Sequence, residues 1–576
     1  MTYHNTETTC LIDTDGTILN ETDDCTLLNQ IIRRNDVATL NRYLAKFPDH
    51  ALATGEVYYY DPFWIAASLG STEVLRVLLE HYKVNYDADP SRIVALDQRG
   101  FLLLNVACQH AQLDTALFLL DSQPPLGEVR AWDRDHCETA LLAAAASLES
   151  LEYLSSKREY PHHDRHGWAR DCVARGEELM NLLLDRGASA CDAIVRAHTQ
   201  HDGGDDATSN GLPPQPLETV LGRAVSRGSY ELVRRLLDEG ADVHARQLFF
   251  CNGSGAGFGG SEIFAFDVTA LHLGSFYWNA EGIRALLDHR RSVSNDHDHE
   301  RENEHDGVDL FTCRDSTGRL PLHWASAGPG LHDEYLLPDD TIVPHIVSTF
   351  QLLVAGNPRT INDLDHQGAT PLYYAVGSHA ACGSRHSDLA IRFLCAHGAD
   401  ARLPDVHGHT VLHVLALRSI DGDPIAPALL DLLVEHGADV THADMDDNTA
   451  LYLMARHLRQ VEAARHLVRL GADVHARNAQ GNTPLHGAAG GEIRPRQTHE
   501  GETEDVTLAD KILAHDEMIA AILEGEARGD RRSGLMEQQN LVGKTPRQLR
   551  EETLTRWRRR EESMRRPPAR RGRGRV

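Results

Sequence analysis

Three groups of residues have the types and spacing to do chemistry, if the chain positions them. Asp296-His-Asp-His299, with His305 and Asp306 downstream, sets carboxylates and imidazoles close enough together to hold a divalent cation. Gly253-Ser-Gly-Ala-Gly-Phe-Gly-Gly260 contains a Gly-x-Gly-x-x-Gly string, whose backbone N–H groups cradle phosphates when it follows a strand and opens a helix. Histidine is abundant, 34 residues in all, and imidazole is the side chain that transfers protons near neutral pH. Each signal is weak without its element. No strand-helix unit flanks the glycines, so they read as a flexible insertion, and the His/Asp stretch reads as a mobile acidic loop. No metal and no cofactor are expected.

A fourth group, Leu11-Ile-Asp13-Thr-Asp15-Gly-Thr17-Ile-Leu19, resembles the first motif of haloacid-dehalogenase-type phosphatases. That resemblance implies Asp13 as the nucleophile at phosphorus, Asp15 as acid/base and Mg²⁺ to neutralise phosphate. The same chemistry requires a parallel α/β sheet bearing a Lys and further carboxylates, whereas helix-like periodicity begins by residue 27. The expectation is therefore no enzyme and no catalytic residues. Phosphatase-like activity at Asp13/Asp15, or another activity in an insertion, is the alternative.

The elements that dominate the chain are repeated. Thr483-Pro-Leu-His486 recurs as Thr370-Pro-Leu-Tyr373, Thr410-Val-Leu-His413 and Thr449-Ala-Leu-Tyr452, in steps of 40, 39 and 34 residues, a period that denotes stacked repeat units. Thr at the first position caps a helix, and Pro371 or Pro484 occupies the first helical position, where a missing N–H costs nothing. Leu and Ala then follow at helical spacing (Leu412 and Ala416; Leu485, Ala488 and Ala489). A second Leu-rich helix ends at Gly398, Gly437 or Gly471, each followed by Ala-Asp, where glycine supplies the left-handed cap. Weaker anchors extend the pattern towards the N-terminus at Leu27, Pro62, Leu103, Thr139, Thr219, Thr269 and Leu320, and a last partial unit opens at Thr545-Pro546.

On these motifs the chain resembles the ankyrin repeat family, with the match strongest in the later half. The resemblance implies an all-α repeat solenoid of helix-turn-helix units with short β-hairpin fingers, about 10–12 units with several loop insertions. Asp365, Asp405 and Asp444, with Asn478 in the next copy, stand where the family places a finger aspartate. The resemblance implies that His272, His323, His413 and His486 hydrogen-bond the adjacent hairpin rather than move protons. It also implies a non-enzymatic scaffold or adaptor that binds a protein on the concave surface formed by finger tips and inner helices. Family-variable positions there are His366, Gln367, Val406, His407, His409, Met445, Asp446, Asp447, Gln480 and Asn482 on fingers, and Arg418, Arg456 and His457 on inner helices.

Composition agrees with that reading. Ten cysteines show no Cys-x-x-Cys pair, which argues against zinc modules and a disulfide framework. No run approaches 18 apolar residues, and the N-terminus has no leader pattern, so no membrane contact and a cytoplasmic or nuclear location are expected. The net charge is −28, yet residues 544–576 carry +9. The acidic body favours a basic partner and disfavours nucleic acid, leaving the Arg-rich tail as the one candidate for import or nucleic-acid contact. The expected organisation is a disordered lead-in at 1–25, divergent repeats at 26–200, repeats with insertions at 217–543, and a terminal partial repeat or helix with a basic tail at 544–576, in a monomer.

Overall fold

The computed structural model describes residues 10–12, 14, 16, 18–20, 27–52, 61–91, 93–133, 138–149, 165–194, 217–251, 263–296, 309–329, 339–382, 387–419, 424–493, 506–528 and 534–565. The protein is mostly helical, and its contacts divide it into two compact units, one mainly of residues 1–249 and 266–307, the other mainly of 308–334 and 339–576.

The first unit contains α1 (Leu27–Arg33), α2 (Val37–Lys46), α3 (Pro62–Leu69), α4 (Thr72–Ala88), α5 (Leu103–Gln109), α6 (Leu113–Asp121), α7 (Ala140–Glu149), α8 (Arg165–Asp185), α9 (Val220–Ala224), α10 (Tyr230–Asp238), α11 (Ala270–Phe276) and α12 (Ala280–Asp296). Helices α1, α3, α5, α7, α9 and α11 pack in succession, with α2, α4 and α6 forming a second row beside them. The inner row is almost wholly buried because its side chains are small or aliphatic, as in Ala140–Ala146, and neighbouring helices can close on both faces. Three short two-stranded ribbons occur among the described residues: β1 (Cys10–Ile12) with β2 (Ile18–Asn20), β3 (Ala193–Ile194) with β4 (Glu218–Thr219), and β5 (Gln247–Cys251) with β6 (Ile263–Val268). The first ribbon lies inside the segment read as a disordered lead-in. It is tied down by Thr14, whose N–H and hydroxyl both reach Asp36 Oδ2, and by Arg42, which donates to the Ile12 carbonyl at 2.8 Å.

The second unit repeats one plan more regularly. Its inner helices are α13 (Pro321–Ala327), α15 (Pro371–Cys382), α17 (Val411–Arg418), α19 (Ala450–Ala455), α21 (Pro484–Ala489) and α23 (Pro546–Arg565), each packed on the next. The outer helices α14 (Asp339–Gly356), α16 (Ser387–Ala396), α18 (Pro427–Glu435), α20 (Val461–Arg469) and α22 (Leu508–Arg528) form a parallel succession. Helix α15 runs on to Cys382, and Ala380 near its end is still buried. A capping box opens α23: Thr545 N–H donates to Gln548 Oε1 at 3.0 Å and Gln548 N–H to Thr545 Oγ1 at 3.3 Å. Leu554 and Trp557 on α23 are buried.

One ion pair in the first unit is wholly internal. Arg99 donates to Asp61 Oδ2 at 2.6 Å and to the Leu52 carbonyl at 3.0 Å, with its guanidinium over the Phe63 ring, while Asp61 also caps α3 through Phe63 N–H. Removing only the cation leaves a buried carboxylate uncompensated. Arg99→Met is therefore expected to lower the stability of this unit by about 3–5 kcal/mol, and Asp61→Asn with Arg99→Met by clearly less, read by denaturant unfolding.

Candidate functional site

Each inner helix of the second unit is preceded by a five-residue finger: Asp315–Arg319, Asp365–Ala369, Asp405–His409, Asp444–Asn448, Asn478–Asn482 and Asn540–Lys544. The first residue of each folds the finger from within. Asp405 Oδ1 accepts the N–H groups of His407 and His409, both at 2.8 Å, and Asp444, Asn478 and Asn540 repeat that arrangement. Burial pushes the Asp405 carboxyl up, but these N–H groups and the Tyr373 hydroxyl outweigh it and hold the group below its ordinary range. Fingers then bond to one another. Val406 N–H donates to Gln367 O at 2.8 Å, Met445 to His407 O at 3.1 Å, Ala479 to Asp446 O at 2.9 Å and Leu541 to Gln480 O at 3.1 Å. Gly408, at φ 81°, permits this approach, because a Cβ there would lie 3.1 Å from Met445 N.

Behind the fingers, histidines lock helix to hairpin. His413 Nδ1 accepts from the Thr410 N–H and hydroxyl, at 3.3 and 2.8 Å, and its Nε2 meets the Asn448 carbonyl of the next finger at 3.0 Å. His323 and His486 bridge in the same way to Ala369 O and Lys544 O. An imidazole accepting at Nδ1 and donating at Nε2 is neutral, and burial lowers the pKa of both His323 and His413 to about 4. These residues hold structure rather than move protons. Asn105 fills the equivalent place in the first unit and donates to Glu138 O at 3.0 Å.

All thirteen residues proposed from sequence lie on these fingers or at the ends of inner helices. His366, Gln367, Val406, His407, Met445, Asp446, Asp447, Gln480, Arg418 and Arg456 are exposed, whereas His409, His457 and Asn482 are half-buried. His409 is held between neighbouring fingers, with Nδ1 3.2 Å from Asp405 and Nε2 3.5 Å from Asp444. His457 joins Glu492, just beyond α21, in an isolated parallel bridge. Four of the thirteen, Asp446, Arg456, Gln480 and Asn482, converge on one open groove of about 550 Å³. The groove is also lined by Asn448, Tyr452, Gly487, Gly490 and Asn540, which sequence reasoning missed. Asn540 had a readable signal: Asn540-Leu-Val-Gly-Lys544-Thr-Pro repeats the form of Asn478-Ala-Gln-Gly-Asn482-Thr-Pro. Side-chain amides chain along one wall, from Asn540 Nδ2 to Asn482 Oδ1 at 2.8 Å and from Asn482 Nδ2 to Gln480 Oε1 at 3.1 Å. Neither Asp446 nor Arg456 has an ion-pair partner among the described residues. The groove therefore offers a carboxylate, a guanidinium and amides to whatever enters it.

Asp13, Asp15, the glycine string at 253–260, residues 297–299 and 305–306, and the tail at 566–576 lie outside the described residues. Among the described residues no group of three or more His, Cys, Asp or Glu is placed to hold a metal, and no helix is long and apolar enough to cross a membrane. Three arginines on α23 pair with acidic groups of their own unit: Arg547 with Glu537 at 2.6 Å, Arg550 with Asp516 at 2.5 Å and Arg556 with Glu492 at 3.2 Å.

A family model for the ankyrin repeat matches residues 446–479, the stretch from one groove-lining finger through α19 and α20 to the next finger. No curated protein matches the chain.

The neutral histidines set a pH dependence. The folded pKa of His323 and of His413, about 4, lies below the unfolded value of about 6.5, so the unfolded chain binds the protons first as pH falls. Their contribution is complete above pH ~6.5 and is lost as pH falls towards 4, at about 1.4 kcal/mol per pH unit for each histidine in that window. His413→Asn, which copies Asn105, is expected to flatten this loss, read by denaturant unfolding at pH 7.5 and 5.

Proposed function

We propose that this chain is a multi-repeat ankyrin protein that works as a non-enzymatic recognition scaffold or adaptor, taking a protein partner into the groove between Asp446 and Arg456. The observation that carries this reading is the groove itself. It is open and polar, it is built on the segment matching the ankyrin repeat, and its two charged groups have no ion-pair partner among the described residues. Ankyrin repeats are interaction modules without chemistry of their own, and a stacked scaffold presents such a surface already ordered, which lowers the cost of binding.

In this reading about ten to twelve units follow one another from residue 26 to the partial unit after 543. The successive inner helices and the finger-to-finger hydrogen bonds support it. In this reading the partner lies on the concave side, against the finger and inner-helix residues, and the excess of 85 acidic over 57 basic side chains favours a basic protein over nucleic acid. The protein acts as a monomer in the cytoplasm or nucleus.

Affinity capture from the source cell tests this. The wild type is compared with a variant carrying Asp446→Ala, Arg456→Ala and Gln480→Ala, after thermal unfolding confirms that the variant is intact. Partners are expected to be lost selectively from the variant, with affinities at least tenfold weaker when measured singly. An identical partner set at unchanged affinity would overturn the groove as the recognition site.

A further inference from the structure

Accepting the recognition function, the finger tips specify the shape of what is recognised. The residue after the finger aspartate or asparagine is Val406, Met445, Ala479 and Leu541 in four consecutive fingers, and Val542 follows Leu541. The hydrogen bonds between fingers put these residues in one register. Their exposure is high for apolar side chains: Val406 46%, Met445 75%, Leu541 77% and Val542 78%. Single exposed apolar residues need no explanation, but large ones recurring at one register position form a continuous strip, and such strips mark interaction surfaces. Beside the strip stand Asp446 and Asp447, exposed and without ion-pair partners among the described residues.

We propose that this strip is the docking surface for a basic amphipathic α-helix of the partner protein. Each finger is a tight hairpin of two chain passes, so equivalent residues in successive fingers recur at about 10 Å, twice the spacing of paired strands. Seven residues of α-helix advance about 10.5 Å, so a helix lying along the strip brings one face back to each finger every seventh residue. An extended peptide returns the same face about every 6.6 Å and falls out of step after one finger. The occupant therefore carries apolar side chains at i, i+7 and i+21, opposite Val406, Met445 and Leu541. At i+14 it carries its largest apolar residue, because Ala479 leaves room there. Lys or Arg flanks i+7, where Asp446 and Asp447 meet it.

The test uses the full chain and two synthetic peptides of 25 residues, titrated by fluorescence anisotropy. One carries Leu at i, i+7 and i+21, Phe at i+14 and lysines beside i+7; the other has the same composition with the apolar positions scrambled. The heptad peptide is expected to bind at least tenfold more tightly than the scrambled one. It is expected to lose on the order of tenfold when the protein carries Met445→Ser with Leu541→Ser, and to lose several-fold with Asp447→Asn or added salt. Both substituted apolar residues are exposed, and unchanged thermal unfolding would show that the variant is folded. Equal binding of the two peptides, indifference to the serine substitutions, or sedimentation showing that the strip instead joins two copies of this chain would each overturn the proposal. Capture from cells separates the two readings. Partners lost with the Asp446, Arg456 and Gln480 variant but kept by the serine variant would remove the helix proposal and leave the recognition function standing; partners kept by both would remove both.

Discussion

The second unit depends on a neutral imidazole at three of its five joints. His323, His413 and His486 each accept at Nδ1 from the backbone that opens their own helix and donate at Nε2 to a carbonyl of the following finger. That geometry fixes where a helix begins and where the next hairpin lies against it, so the joint sets the repeat spacing. It works only for an imidazole with one donor and one acceptor side, and burial enforces that state. Tyr373 and Tyr452 replace the histidine in two units. Tyr373 reaches the finger ahead through Asp405 Oδ2 at 2.8 Å, so a different donor serves the same junction.

Once the joints are fixed, the fingers have little freedom. A carboxylate or amide at the first position collects the N–H groups of its own turn, and the remaining outward N–H finds the neighbouring finger. Backbone groups that would otherwise need water are thereby paired without help from the side chains of several second and third finger residues. Those are the positions where the chain places Met445, Asp446 and Leu541. Recognition chemistry is thus added to a frame whose stability does not rely on it, and side chains at these positions can vary without disturbing the fold.

The groove arises from the same economy of backbone. Helix α21 carries Gly487, where a Cβ would stand 3.0 Å from the Tyr452 carbonyl, so α19 and α21 approach closely and leave an open floor beside them. Arg456 reaches over this floor from the end of α19, and the amide side chains of Asn482 and Asn540 close one wall. Acidic and basic groups lie in one cavity without neutralising each other, which keeps both available to a ligand.

The sequence by itself determined the helices, their caps and the joints of the later half, because each is written in local terms: Thr-Pro openings, Gly-Ala-Asp endings and one histidine at a constant offset. It also marked finger residues as a class. It did not reveal which of them share a site, because Asp446, Arg456, Gln480 and Asn540 are far apart in the chain and are brought together only by stacking across three repeats. It read residues 1–25 as a disordered lead-in, since nothing local announces that Thr14 and Ile12 will meet Asp36 and Arg42. In the first unit Asn105 takes the place of the histidine and no Thr-Pro opens α5, so the joint is present in space but faint in the chain. Tertiary structure decided the groove, the row of exposed tips and the buried Arg99–Asp61 pair, because each depends on which distant backbones pack side by side.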